Sequence, residues 1–349
     1  NATIPSSTGF STQYKNFGQT SNKGIELALD AVIVDTKDFG LNANFNISYN
    51  RAKIDKLAGG QTWQSSNWGG KPAGQNDFFI EEGGRLGEVY GYELDGFYTT
   101  DDFSWDGSKW ILNENLTDPT ELIKYNNFGP GSLKLKADED GKFTKKRLGN
   151  TVPTVTGGFG INMRYKNFDL SAFFNYSLGN KIVNATKLGS SYYNDTKKGW
   201  NLNDNFTLAK RYSWIDPSTG ENMLKSSYIK SNGLDYTINR LNEINAGASM
   251  YNPGSITEMP LLDWAVEDGS FLRVNNISIG YTLPKVFVNK MFMQNVRIYV
   301  TGYNLYCFTK YSGADPEVDT RRSTPMTPGV DYSAYPKSRS FVGGINVTF

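Results

Sequence analysis

Between Phe39 and Asn50 the sequence alternates without a break. Phe39, Leu41, Ala43, Phe45, Ile47 and Tyr49 interleave with Gly40, Asn42, Asn44, Asn46, Ser48 and Asn50. A period of two puts the six apolar side chains on one face of an extended strand and the six small or polar ones on the other. Soluble sandwich strands show the same binary signal but usually run about six residues. A run of this length matches the roughly 9–11 residues with which a strand crosses an outer membrane. The preceding residues pair with it. Ile25, Leu27, Leu29, Ala31 and Ile33 alternate with Glu26, Ala28, Asp30, Val32 and Val34, and Asp35-Thr-Lys-Asp38 supplies a tight turn.

The pattern recurs along the chain. Phe159, Ile161, Met163 and Tyr165 share a face, Lys166-Asn167 turns, and Phe168, Leu170, Ala172, Phe174, Tyr176 and Leu178 continue. Three further strands are expected at 271–283, 295–306 and 338–349. In the first, the apolar phase switches from Leu272 and Val274 to Ile277, Ile279, Tyr281 and Leu283. One extra residue near Asn275-Asn276, a β-bulge, accounts for the switch. In the last, Phe341, Ile345, Val347 and Phe349 share one face. Two weaker strands near 76–82 and 86–98 flank Gly83-Gly84-Arg85, giving about nine strands. Short connections (35–38, 83–85, 166–167, 284–294) alternate with long ones (52–75, 99–156, 179–270, 309–337). That alternation is the signature of an up-and-down transmembrane barrel. A soluble β-sandwich with irregular loops is the alternative, but structureless loops this long are rare in compact domains.

Composition narrows the choice. Mean hydropathy is −0.49, and no apolar run approaches the roughly 18 residues of a membrane helix. A membrane-spanning chain of this kind must then be a barrel, because lipid leaves no other way to satisfy the backbone. The 36 basic and 35 acidic residues balance, which argues against a nucleic-acid partner held by charge. The chain has no histidine, so it lacks the commonest general base and the triads built on it. No cofactor, metal or catalytic residue is expected. Cys307 is the only cysteine and can form no intrachain disulfide.

Several stretches resemble the SusC-like TonB-dependent transporters of Bacteroidetes outer membranes. They are Glu267-Asp-Gly-Ser-Phe-Leu-Arg-Val-Asn-Asn-Ile-Ser-Ile-Gly-Tyr-Thr-Leu-Pro284, Val296-Arg-Ile-Tyr-Val-Thr-Gly-Tyr-Asn-Leu-Tyr306, Thr309-Lys-Tyr-Ser-Gly313, Asp315-Pro-Glu317, and the ending with Tyr335-Pro336, Arg339 and Phe349. Near the start, Asn22-Lys-Gly-Ile-Glu-Leu27 and Tyr90-Gly-Tyr92 with Asp95-Gly96 fit as well. The resemblance implies an all-β, antiparallel up-and-down transmembrane β-barrel of about 22 strands. Residues 1–349 are then expected to be the C-terminal portion of its wall with long extracellular loops, the plug domain lying outside this chain. Members often carry an acidic calcium-like loop before the mid-chain hairpin. Here that run reads Ala137-Asp-Glu-Asp-Gly-Lys-Phe143, with Lys136 at the first ligand position and no glutamate at the twelfth, so a solvated turn is expected.

The resemblance also implies active import at the outer membrane. The expected partners are a SusD-like lipoprotein lid, TonB-ExbB-ExbD through an N-terminal part, and membrane lipid, with a dimer of transporter–lid pairs as a further possibility. The ligand is expected to be an oligosaccharide, with a peptide as the alternative. A surface glycan-binding or adhesin β domain is the rival from another class. The seven tryptophans fall in predicted loops: Trp63, Trp68, Trp105, Trp110, Trp200, Trp214 and Trp264. Flat amphipathic rings suit stacking on sugar faces. With Tyr192 and Tyr193 they form the candidate ligand-binding set, packing of loop against loop being the alternative role. Asp315-Pro-Glu317 reads as a turn cap, and Arg321-Arg322 and Lys197-Lys198 as solvated loop charges.

Overall fold

Seven strands form one continuous antiparallel sheet in strict chain order in the computed structural model. They are β1 (Gly18–Asp35), β2 (Phe39–Leu57), β3 (Val155–Tyr165), β4 (Phe168–Leu178), β5 (Phe271–Thr282), β6 (Asn295–Thr309) and β7 (Ser340–Thr348). The structure describes residues 18–57, 77–193, 201–319 and 327–349, and the backbone of the short strands Ala2–Thr3, Thr12–Gln13 and Trp63–Ser65.

Each strand pairs with its sequence neighbours in the sheet, so all connections are hairpin-like. Three are short (36–38, 166–167 and 283–294) and lie at one end. Three are long (58–154, 179–270 and 310–339) and lie at the other. The two weaker strands expected near 76–98 do form, as Phe78–Ile80, Glu88–Gly91 and Leu94–Phe97. They sit outside the wall: Phe78–Ile80 and Glu88–Gly91 pair in a small sheet with Trp63–Ser65 and Lys146–Asn150. The wall therefore contains seven strands of this chain, and what read as two long connections is one. The shortness of these segments, three or four residues each, is the physical reason; none could cross a bilayer.

Register places the apolar residues in rows across the outer face. One row is Ala31, Ala43, Ile161, Ala172, Ile277, Gly302 and Phe341. Near the short turns runs an aromatic row, Phe39, Tyr165, Phe168 and Tyr281, with the rings of Phe168 and Tyr281 4.6 Å apart. Towards the other end lie Phe45, Phe159, Phe174, Tyr176 and Tyr306. Phe168 and Tyr176 are eight residues apart on β4, about 27 Å along a strand at ~3.4 Å per residue. With the ~35–45° tilt of barrel strands, two aromatic girdles at that spacing bracket an apolar band roughly 20 Å tall, close to the ~25 Å of outer-membrane barrels. Ile25, Ile279, Val300 and Ile345 are all exposed on this face, as side chains solvated by lipid rather than by a core would be.

Two bulges keep the rows in phase. The register of β5 shifts between Val274 and Asn276, where the sequence pattern places an extra residue. Another shift between Val32 and Val34 aligns Val34 with Leu41, so Ile33 leaves the expected row.

A close approach fixes the β2–β3–β4 contact. A Cβ on Gly157 would collide with the Asn46 carbonyl oxygen and the Tyr176 hydroxyl. The Tyr176 ring covers the glycine, and its hydroxyl donates to the Asn46 oxygen at 2.9 Å. Gly157→Val is expected to splay these strands and to reduce assembled protein in outer membranes several-fold. Comparing folded and unfolded bands on unheated gels checks it.

Candidate functional site

The inner face of the wall is hydrogen-bonding and largely uncharged at its centre. Asn42, Asn162, Ser171, Ser278 and Thr301 form one row, and Asn44, Gly160, Phe173, Asn276 and Tyr303 the next. Thr301 Oγ1 donates to Ser278 Oγ at 2.8 Å. Charge collects near the short turns. Arg164 donates to the carbonyls of Thr36 and Lys37, both at 3.0 Å, tying two adjacent turns together. Arg297 pairs with Asp169, its Nε donating at 3.0 Å.

The long connections fold into a layer with its own core. Residues from all three of them meet in one cluster: Phe78, Val89, Ile123 and Leu133 from the first, Val183, Leu188, Tyr251 and Leu261 from the second, and Val330 from the third. A second cluster packs Tyr98, Phe103, Trp110, Trp214 and Met223 against α2 (Ser226–Asn232) and α3 (Leu234–Ile244). The first helix of the chain, α1 (Ala185–Gly189), is capped by Asn184, whose side chain accepts from the Lys187 amide.

A cleft of about 570 Å³ lies where the inner face of β3 and β4 meets this layer. Thr156, Asn175, Ser177, Asn180, Phe271 and Glu317 contribute to its walls. Asn175 Oδ1 is buried and has no hydrogen-bond partner among the described residues. A buried acceptor of this kind is costly unless something donates to it.

Above the cleft, the wall is tied to the layer by buried charge. Arg273 on β5 donates to Asp315 at 2.6 Å and to Asn304 at 2.6 Å, with both members of the ion pair almost fully buried. Asp315 also accepts from the Glu317 amide at 2.8 Å, the turn cap expected from the sequence. A second knot joins Lys187, Glu267 and Ser312. Burial alone would raise the Glu267 carboxyl, but the Ser312 amide and hydroxyl and the Lys187 ammonium outweigh it and hold it below the usual range.

The expected aromatic set divides. Trp214 is buried and its indole donates to the Pro130 carbonyl at 2.7 Å. Trp110 is buried with Trp105 edge-on at 5.5 Å, Trp105 itself being half-buried. Tyr192 is buried in the first cluster, and burial raises its phenol. Trp264 is half-buried under the Lys187 ammonium, 4.6 Å from the ring centroid. Tyr193 is exposed at 41%. The backbone of Trp63 pairs with Ile80. Its side chain, Trp68, Trp200, Lys197-Lys198 and Arg321-Arg322 lie outside the described residues. The structure therefore brings Trp105, Trp110 and Trp214 together in one core, and Tyr192 and Trp264 in another. Loop-against-loop packing accounts for Trp110, Trp214 and Tyr192.

At the acidic run, Asp138 accepts from the Asp140 amide at 3.1 Å and the Lys142 amide at 2.7 Å, closing a turn around Gly141.

The second cluster carries a pH-dependent link. Asp216 accepts from the Ser218 amide at 3.0 Å, the Tyr228 hydroxyl at 2.7 Å, the Ser218 hydroxyl at 2.7 Å and Arg240 at 3.2 Å. These donors hold its carboxyl well below the ordinary range, the Ser218 amide foremost. A depressed carboxyl stabilises fully above its unfolded value of about 3.9 and loses that contribution as pH falls through the folded value. The near-ultraviolet circular dichroism of this aromatic core is expected to stay constant from neutrality to about pH 4 and to weaken below it. Asp216→Asn is expected to flatten that acid limb.

A lipid-facing band between aromatic girdles, a polar inner face and a folded cap on the long connections define a segment of transmembrane β-barrel wall. The chain is 30% identical to TonB-dependent receptor P3 of Formosa agariphila, a match covering 99% of the chain and 30% of that protein. It is 25% identical to TonB-dependent receptor SusC of Bacteroides thetaiotaomicron, over 99% of the chain and 28% of that protein. Among solved structures, the RagAB peptide transporter superposes with a TM-score of 0.57 at 22% identity, covering 99% of the chain and 31% of that chain. No family model matches. Over nearly its whole length the chain is similar to TonB-dependent receptors, SusC among them, and it shares the fold of the solved transporter. It spans about three-tenths of the length of the curated relatives it matches, and the relatives carry the names of receptors and a transporter, not of enzymes.

Proposed function

We propose that this chain is wall and cap of an active importer that carries nutrient oligomers across the outer membrane. The observation that carries the reading is the shared core of the three long connections above a polar inner face. It gives a walled vestibule rather than an open pore. The sheet edges, β1 and β7, pair with no further strand among the described residues, which supports the view that residues 1–349 are part of a larger barrel, since an open edge in lipid leaves backbone groups unsatisfied. A plug and a TonB-contacting segment would be supplied by the rest of that polypeptide. A SusD-like lipoprotein would close the vestibule from outside, TonB-ExbB-ExbD would drive release inward, and two transporter–lid pairs could associate.

For the substrate we favour oligosaccharides. Amide and hydroxyl side chains dominate the centre of the inner face, and Tyr193, Trp105 and Trp264 retain accessible ring surface for stacking. Trp63, Trp68 and Trp200 complete the proposed contact set, while Trp110, Trp214 and Tyr192 would support it from within. A peptide is the second reading, favoured by the fold shared with a peptide transporter. Native mass spectrometry of the importer isolated from outer membranes tests this. Co-purifying species spaced by hexose or related sugar masses are the expected result. Species spaced by amino-acid residue masses would replace the glycan reading with the peptide one.

A further inference from the structure

The connection between β5 and β6 differs from the other two short turns. It folds into a helical turn, α4 (Lys285–Val288), continued by a tighter turn over Asn289–Met291. Val296 belongs to the outward row of β6, with Ile298 and Val300. Those two are 45% and 56% exposed, yet Val296 is 6% exposed and Val288 only 1%. The Leu283 amide donates to the Val296 carbonyl at 2.8 Å, and the Met293 amide to the Val288 carbonyl at 3.2 Å. The helical turn thus folds back onto the lipid-facing side of the wall instead of the lumen. Its outer surface is apolar: Val286, Phe287 and Phe292 are all exposed, Phe292 by 94%. Phe292 holds a left-handed backbone, φ 57°, which is unusual for a bulky residue. The strands on either side of this connection, β4 and β7, are both among the described residues, β7 being the edge of the sheet. Lys285 and Lys290 flank the patch, and residues 283–294 contain no acidic side chain.

We propose that the β5–β6 connection is an interfacial anchor that seats Val286, Phe287 and Phe292 in the periplasm-facing phospholipid leaflet. Two observations select this occupant. The patch is continuous with the lipid-facing band, one turn below the Tyr281 girdle. The two lysines complement anionic headgroups at the depth where such chains reach for water. An apolar turn with basic flanks is the composition that lies in a membrane surface. Short turns face the periplasm in barrels of this type, which sets the leaflet. The proposal rests on the outer-membrane placement of the wall, and the test separates the two.

Nitroxide labels are placed one at a time, by Phe287→Cys, Phe292→Cys, Ile298→Cys and Glu221→Cys, in the full-length importer. Cys307 and any other cysteine are replaced by serine, and the protein is reconstituted in vesicles of phosphatidylethanolamine and phosphatidylglycerol. Collision with oxygen reports lipid, and collision with a nickel chelate reports water. Labels at 287 and 292 are expected to show an oxygen-to-nickel ratio several-fold above that at 221 and close to that at 298. If 298 reads as lipid while 287 and 292 read as water, the anchor is overturned. Low collision with both reagents at 287 and 292 would place the patch against protein and overturn it equally. If 298 itself reads as water, the membrane placement fails, and the anchor with it.

Discussion

Asp315→Ala is expected to destabilise the assembled protein by about 3–5 kcal/mol, the usual cost of stranding one member of a buried ion pair. Arg273 would keep its bond to Asn304 and gain no replacement for the carboxylate. Glu317, 3.6 Å from the guanidinium, is itself engaged with Lys337 and half exposed to solvent. The loss should be local first. Residues 310–319 carry the counter-charge into the cap, so their amide hydrogen exchange should rise before the wall itself opens. The double variant Arg273→Met with Asp315→Leu should recover most of the stability, because removing both charges removes the stranded one. Urea midpoints of the reconstituted single and double variants check this. Equal loss in both would mean that the site depends on shape rather than on charge compensation.

A charge on the outer face should be nearly as damaging. Ile161 lies midway between the aromatic girdles, flanked by Ala43 and Ala172. Ile161→Arg is expected to cost about 2–4 kcal/mol, the depth-dependent penalty for a cation at the bilayer midplane. Asn44→Lys adds the same charge one row away on the other face. It faces the lumen opposite Asp30 and should leave stability within about 0.5 kcal/mol, as for an ordinary surface change. The contrast is read as the fraction of heat-resistant folded protein in outer membranes. Equal effects at the two positions would contradict the assignment of faces.

The wall was legible in the sequence because its rule is local. Side chains alternate with a period of two wherever one face meets lipid, so Phe39 to Tyr49 can be read without knowing their neighbours. Even the bulge at Asn275 leaves a phase error that the eye can find. The cap obeys no such rule. Phe78, Val183 and Val330 share a core but are far apart in the chain, and nothing in their immediate sequences announces the contact. One stretch of the cap does carry a local signal: Leu234, Ile238, Leu241 and Ile244 recur at helical spacing and form the inner stripe of α3. The tryptophans illustrate the same limit. Loop position made all seven candidates for a ligand, whereas the indole of Trp214 is committed to Pro130. Burial is set by partners that a single sequence does not reveal. The Arg273–Asp315 pair was half visible: the Asp-Pro-Glu turn read correctly as a cap, but its cation sits 42 residues upstream.

The order of the strands bears on how the molecule assembles. Three of the six wall contacts close only a short turn, so the hairpins β1–β2, β3–β4 and β5–β6 can each form locally, while the other three join consecutive wall strands across a long connection. The cap cannot be built that way. Its shared cluster draws on the segments after β2, β4 and β6 at once, and such distant closures are entropically late. Insertion of the wall should therefore precede consolidation of the cap, leaving a transient barrel with its outer segments loose and open to cleavage. Protease resistance of the long connections is then a clock for the final step of maturation, separable from the heat resistance that marks the completed wall.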